Sequence, residues 1–396
     1  MKVGIINLIT KTANPGGDMV SLFGGGNLTP QTEDDLNIVE LGKRMVSDGH
    51  EVTIFVSDAY LPQHRAALPD GLKIEYLPTI ARFPFSPAYA PFTPSLRRKV
   101  QEMEFDVLQA GEVFQTGTVM GWLACGGIKA FFVWQELDII MRGVAGRMQR
   151  TFYSTLGKRI SERSAAVIPR SISASNHLKE FGLGKRIEEV VHSGVDTEVF
   201  KPLSKEGCRA ELELSEYDHV LLSVGRVHPS KGFDVAIEAI APITERMNAC
   251  LVIKGQGPQL EELRQLARRL GVEDRVRFVT SYLGRPDMVR LYNSADALLV
   301  SSRNDLFPFT AIEAISCGIP VLTSFKRGLR TDIVDRGAGL LLPESPEAMA
   351  EGISEALIDK GRLSDMGRQG RELALREFEF KVMADRFIQI YRRHGG

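Results

Sequence analysis

Short runs of β-branched and other apolar residues alternate with stretches of helical periodicity along the whole chain. In the first half the runs predict strands at Val3–Asn7, Val52–Val56, Ile74–Leu77, Val107–Ala110 and Ala130–Trp134. Thr32 and Asp35 form a capping-box pattern that opens a helix ending before Gly49, with Ile38, Leu41 and Met45 at helical spacing. The second half repeats the pattern at Val220–Val224, Leu251–Lys254, Val276–Val279, Ala297–Val300 and Pro320–Thr323. Between these runs lie the helical faces Ala236, Ile240, Ile243, Met247 and Leu260, Leu263, Ala267, Leu270. Continuous apolar strands between amphipathic helices imply parallel sheets covered on both faces. The fold class is therefore α/β, two doubly wound Rossmann-like domains, with ligands expected at the carboxyl ends of strands.

The turn-rich segment Gly194–Pro202 marks a linker. The expected organisation is a first domain over residues 1–196, a second over 197–375, and a C-terminal helix over 376–396. That last helix carries Met383, Phe387, Ile390 and Tyr391 on one side and is expected to pack back on the first domain. Residues 82–94 interleave Pro84, Pro87, Pro91 and Pro94 with Phe83, Phe85, Tyr89 and Phe92, which reads as an extended loop.

A length of 396 residues leaves ample chain for two cores. The net charge of −1 gives no overall electrostatic case for binding nucleic acid. Cys125, Cys208, Cys250 and Cys317 form no CxxC pair, so no zinc or redox motif stands out. The apolar run at the start is short for a signal peptide, and no apolar stretch is long enough to span a membrane. A cytoplasmic protein, peripheral at most, is the expectation. One local charge run, Arg142–Arg163, fits either a solvated helix face or contact with a membrane or a lipid-linked acceptor.

Two constellations carry candidate chemistry. The first is GRVHPSKG (Gly225–Gly232), between a strand and a helix. Gly225 permits a sharp turn, and Arg226 and Lys231 place two cations beside a helix start, a pattern suited to a diphosphate. By local chemistry alone it also fits an ordinary βα loop with solvated charges. The second is Asn304–Leu322, where Asp305 precedes a helix and Glu313 lies inside it. Pro308 suits the first helical position, and Phe309 and Thr310 would then offer free amides to an anion. Glu313, about a turn further in, could accept two ribose hydroxyls. The plainer reading makes Asp305 a helix cap and Glu313 part of a solvated face.

In this order the features resemble the family-four retaining glycosyltransferases, whose second domain carries a GR…KG loop, an E-x7-E element and GxPV. Here these are Gly225, Arg226, Lys231 and Gly232, then Asp305-x7-Glu313, then Gly318, Pro320 and Val321. HSGVDTEVFKP, KGQGP (Lys254–Pro258), LYNSADALLVSS (Leu291–Ser302) and AGLLLP (Ala338–Pro343) are similar to the family as well. The resemblance implies a GT-B fold and retaining transfer from a nucleotide sugar, a UDP-sugar more often than a GDP-sugar, in a cleft between the domains. The acceptor would be a glycan, a lipid-linked intermediate or a small molecule. Arg226 and Lys231 would neutralise the leaving diphosphate without a metal or further cofactor. Asp305 would hold donor-sugar hydroxyls and Glu313 the ribose, while Gly16 and Gly17 of NPGGD would bring backbone close to sugar and phosphate.

The chain departs from the pattern in three places. Asp305 stands where the family has Glu, shortening the carboxylate by roughly 1.5 Å. Pro308 replaces a glycine and removes a backbone donor. Gln135 stands where the family often has His; its amide can bond a sugar hydroxyl but exchanges no proton near neutral pH. These changes keep open a non-catalytic homologue that binds a donor or a partner protein.

Overall fold

Strands that are apolar on both faces must be covered on both faces, and the chain satisfies this twice. The structure, a computed structural model, describes residues 1–8, 37–58, 61–62, 64–79, 92–126, 130–138, 140, 143–183, 186–303, 305, 308–325 and 327–395. The first sheet contains β1 (Lys2–Ile6), β2 (Glu51–Ser57), β3 (Leu72–Leu77), β4 (Val107–Gly111), β5 (Ala130–Gln135) and β6 (Ala166–Pro169). The second contains β7 (His219–Val224), β8 (Ala249–Lys254), β9 (Val276–Val279), β10 (Ala297–Val300), β11 (Val321–Thr323) and β12 (Gly339–Leu341).

Their orders are β3-β2-β1-β4-β5-β6 and β12-β11-β10-β7-β8-β9. Counted from the first strand of each sheet, both orders are the doubly wound 3-2-1-4-5-6. All pairings are parallel, with Val3 beside Val52 and Leu221 beside Leu251. β6 and β12 are the strands that apolar periodicity did not reveal. Each is a short edge strand, and β6 ends in a proline.

The described residues form two units. One holds the chain up to Gly194 together with the segment from Phe380 onward; the other is Val195–Glu379. In the second unit the two chain crossings run side by side, Val195 N donating to Phe378 O at 2.6 Å. In the first unit the helix Phe380–Gly395 buries Met383, Phe387, Ile390 and Tyr391. Phe387 meets the Trp134 ring edge-on at 5.1 Å, and the Tyr391 hydroxyl donates to Gln109.

The helix Asn37–Ser47 buries Ile38, Leu41 and Met45, whereas the capping residues Thr32 and Asp35 lie outside the described residues. Most of the proline-rich segment 82–94 also lies outside them. In the second unit the helix Leu260–Arg269 buries Leu263 and Ala267. Leu270, expected on that face, is exposed because it follows the last helical residue. No helix among the described residues is long and apolar enough to cross a membrane.

Candidate functional site

In the second sheet β7 and β10 are neighbours, and their following segments leave in opposite directions to reach β8 and β11. This reversal opens a crevice at the carboxyl ends of the two strands. Gly225, Arg226 and Lys231 follow β7, and Asp305 follows β10. The fold therefore brings together, at one switch point, residues that the sequence separates by about eighty positions.

The two segments are fastened to each other. Ser301 Oγ donates to Gly232 O at 2.7 Å, and Arg303 N to Ser230 O at 2.8 Å. The Arg303 guanidinium grips both carboxylate oxygens of Asp234, at 2.7 and 2.6 Å, and also donates to Pro229 O at 3.0 Å. Burial by itself would raise the Asp234 carboxyl; the Arg303 contact outweighs it and holds the group below the usual carboxylate range. Gly232 sits at φ 64°, and a Cβ there would come 2.1 Å from Ser301 O, so both backbone conformation and space demand glycine. Arg303 carried no sequence signal, because its partners lie some seventy residues away in the other segment.

Lys231 Nζ forms an ion pair with Asp305 Oδ2, and the side chains are 16% and 14% exposed. Ser302 Oγ stands 3.5 Å from the same oxygen. His228 bonds Ser230 N through Nδ1 at 3.2 Å. Burial, with Arg226 and Lys231 close by, pushes its pKa below the ordinary imidazole value, so the ring is neutral near pH 7. The segment thus presents a positive field from two fixed cations, with one carboxylate already engaged with the second of them.

Beyond Asp305 the chain enters the helix Phe309–Ser316. Pro308 is its N-cap, with extended backbone at φ −72° and ψ 122°, rather than its first helical residue as expected. The helix starts at Phe309, and the amides of Phe309 and Thr310 are the first two of the helix, ahead of its hydrogen-bond ladder. Glu313 is buried rather than solvated, and burial pushes its pKa up to about 7. Its Oε2 accepts the hydroxyl hydrogen of the fully buried Tyr292 at 2.6 Å. One edge of the carboxylate is therefore anchored from inside the fold.

In the first unit, Gly16 and Gly17 lie outside the described residues. Gln135, expected to reach a sugar hydroxyl, is fully buried. Its Oε1 accepts from Val113 N at 2.8 Å and its Nε2 donates to Leu137 O at 2.8 Å. Each end of the amide thus holds a backbone group. The same corner contains Glu112, at φ 59° just past β4, whose carboxylate accepts from Glu136 N and Leu137 N at 3.1 and 2.8 Å. In the run expected at Arg142–Arg163, Arg147, Arg150, Lys158, Arg159 and Arg163 are exposed on consecutive helical segments, as are Val144 and Met148.

A model of glycosyl transferases group 1 matches residues 204–373, and a model of glycosyltransferase family 4 matches residues 37–199. The chain belongs to glycosyltransferase family 4. Among its relatives is the D-inositol 3-phosphate glycosyltransferase of Segniliparus rotundus, 31% identical over 244 residues, or 60% of this chain and 54% of that protein. The chain spans about half the length of the curated relatives it matches. Sucrose-phosphate synthase of Thermosynechococcus elongatus has a TM-score of 0.75 at 21% identity, covering 99% of this chain and 98% of that one. HepE of Anabaena, solved with UDP-glucose, has a TM-score of 0.72 at 18% identity, covering 99% and 100%. These likenesses give this family member the GT-B fold.

Proposed function

We propose that this protein transfers a sugar, with retention of configuration, from a nucleoside-diphosphate sugar to an acceptor. The observation that carries the reading is the meeting of Arg226, Lys231 and Asp305 at the switch point of the second sheet, beside the start of the Phe309–Ser316 helix. Two fixed cations and a helix N-terminus stabilise negative charge as it develops on a leaving diphosphate. The reading therefore assigns that neutralisation to the protein's own side chains rather than to a metal ion. Asp305 and Glu313 are assigned the donor sugar and the ribose.

UDP is the favoured nucleotide, supported by the UDP-glucose complex of the Anabaena neighbour. Inositol 3-phosphate, named for the Segniliparus relative, is the first acceptor to assay, beside glycan and lipid-linked acceptors. Peripheral contact with an anionic membrane is assigned to the exposed cations of the 143–163 segment, with Val144 and Met148 as its apolar contribution.

Titration of UDP and GDP against the wild type and Arg226→Ala tests the central reading. One nucleotide should bind, and the variant should lose it. If a well-folded wild type binds neither, the reading as a non-catalytic homologue takes precedence. The engagement of Gln135 with backbone favours that second reading, and donor binding without turnover of any acceptor would establish it.

A further inference from the structure

Lys254 closes β8 and is fully buried. Alternation along the strand puts it on the same face as Cys250 and Val252, which belong to the core under the Arg285–Ser294 and Phe309–Ser316 helices. An apolar side chain would fill such a position at no electrostatic cost, whereas a buried ammonium must find acceptors for its hydrogens. Its Nζ donates to Ser281 O at 2.8 Å, and among the described residues no carboxylate forms an ion pair with it. Burial holds its pKa below the usual lysine range.

The neighbouring side chain does the same work one residue earlier, as Gln256 Nε2 donates to Thr280 O. The segment carrying both is tied to the Arg226 loop through its backbone. Gly225 N donates to Lys254 O at 3.0 Å, Val227 N to Gln256 O at 2.8 Å, and Gln259 N to Val227 O at 3.3 Å. The approach is tight enough to exclude side chains: a Cβ on Gly255 would lie 1.8 Å from Gly225 O, and one on Gly257 2.2 Å from Val227 O. KGQGP is therefore the middle of three loops, joined by backbone to the loop after β7 and by side chains to the loop after β9.

The loop after β9 leads directly into the Arg285–Ser294 helix, which supplies Tyr292 to Glu313. On the donor-site reading, with the ribose at Glu313 and the diphosphate at Arg226 and Lys231, the rest of the nucleoside is assigned to the 280–284 loop that the Lys254 and Gln256 side chains hold. We propose that Lys254, aided by Gln256, is a positioning residue for the donor nucleotide, fixing the 280–284 loop at a set distance from the diphosphate loop. The proposal rests on the donor-site reading given above.

Titration of UDP and of inorganic pyrophosphate against wild type, Lys254→Met and Gln256→Ala tests it. Lys254→Met should weaken UDP by about tenfold, the worth of one charged hydrogen bond, and leave pyrophosphate within about twofold. Gln256→Ala, altered at an exposed side chain, should act in the same direction with a smaller effect, and it carries the test if Lys254→Met does not fold. Hydrogen exchange of the 280–284 amides should quicken in both variants. A folded Lys254→Met that binds UDP like the wild type overturns the proposal, as does equal weakening of UDP and pyrophosphate in the folded variants. A wild type that binds pyrophosphate but neither UDP nor GDP removes the donor-site reading itself, and this proposal with it.

Discussion

Replacing Asp305 by Asn removes one negative charge from beside the Lys231 ammonium and keeps nearly the same shape. In the protein the two form an ion pair whose members are 16% and 14% exposed. At an effective dielectric near 20, opposite charges about 4 Å apart attract by roughly 4 kcal/mol before desolvation and screening are subtracted. Partial exposure reduces the net value to about 1–2 kcal/mol. A diphosphate that needs the same ammonium must share it with Asp305 or displace it. Asp305→Asn should therefore tighten UDP by about 5–30-fold, the fold-change equivalent of that net value. Transfer from an intact nucleotide sugar should fall in the same variant, because the assigned contact to the sugar hydroxyls is lost. Lys231→Met should weaken UDP by about 1.5–3 kcal/mol, the usual worth of a hydrogen bond to a charged group. In the Lys231→Met background, Asp305→Asn should add little, since the partner it competes for is gone. Calorimetric titration of UDP against the four proteins reads all of this. A folded Asp305→Asn with unchanged or weaker UDP affinity refutes the argument that the carboxylate competes with the diphosphate.

Gly232→Ala should destabilise the second unit by more than about 2 kcal/mol in urea unfolding, since it combines a left-handed backbone with a Cβ 2.1 Å from Ser301 O; wild-type stability would show that the two loops are not locked as described. Glu313 holds a proton in the folded state that the unfolded chain has released between pH 4.5 and about 7. Its raised pKa therefore makes stability fall as pH rises through that window and level off above it. Denaturation midpoints measured against pH should lose that component of the slope in Glu313→Gln. Gln135→Ala should cost about 2–4 kcal/mol by stranding Val113 N and Leu137 O, with activity per folded molecule retained. A stable Gln135→Ala protein with abolished transfer would return Gln135 to the reacting centre.

Apolar periodicity is a local property, so the sequence by itself determined the α/β class and most of the strands. It also marked the GRVHPSKG and Asp305-x7-Glu313 elements, because glycine, charge and proline at a strand-to-helix turn restrict what that turn can do. The edge strands Ala166–Pro169 and Gly339–Leu341 were illegible because they are too short to show a period. Leu270 was misassigned because a helical face continues in the sequence past the residue where the helix stops. What each candidate side chain touches was decided only by the tertiary structure. Gln135 turned inward to two backbone groups, and Glu313 was buried against Tyr292. Lys231 was paired with Asp305, and Arg303 with Asp234. Apart from the Gln135 bond to Leu137 O, two positions on, these contacts join residues from about twenty to more than seventy positions apart. They follow from the order in which parallel strands lie in a sheet, and that order depends on how helices pack across its faces rather than on any short stretch of residues.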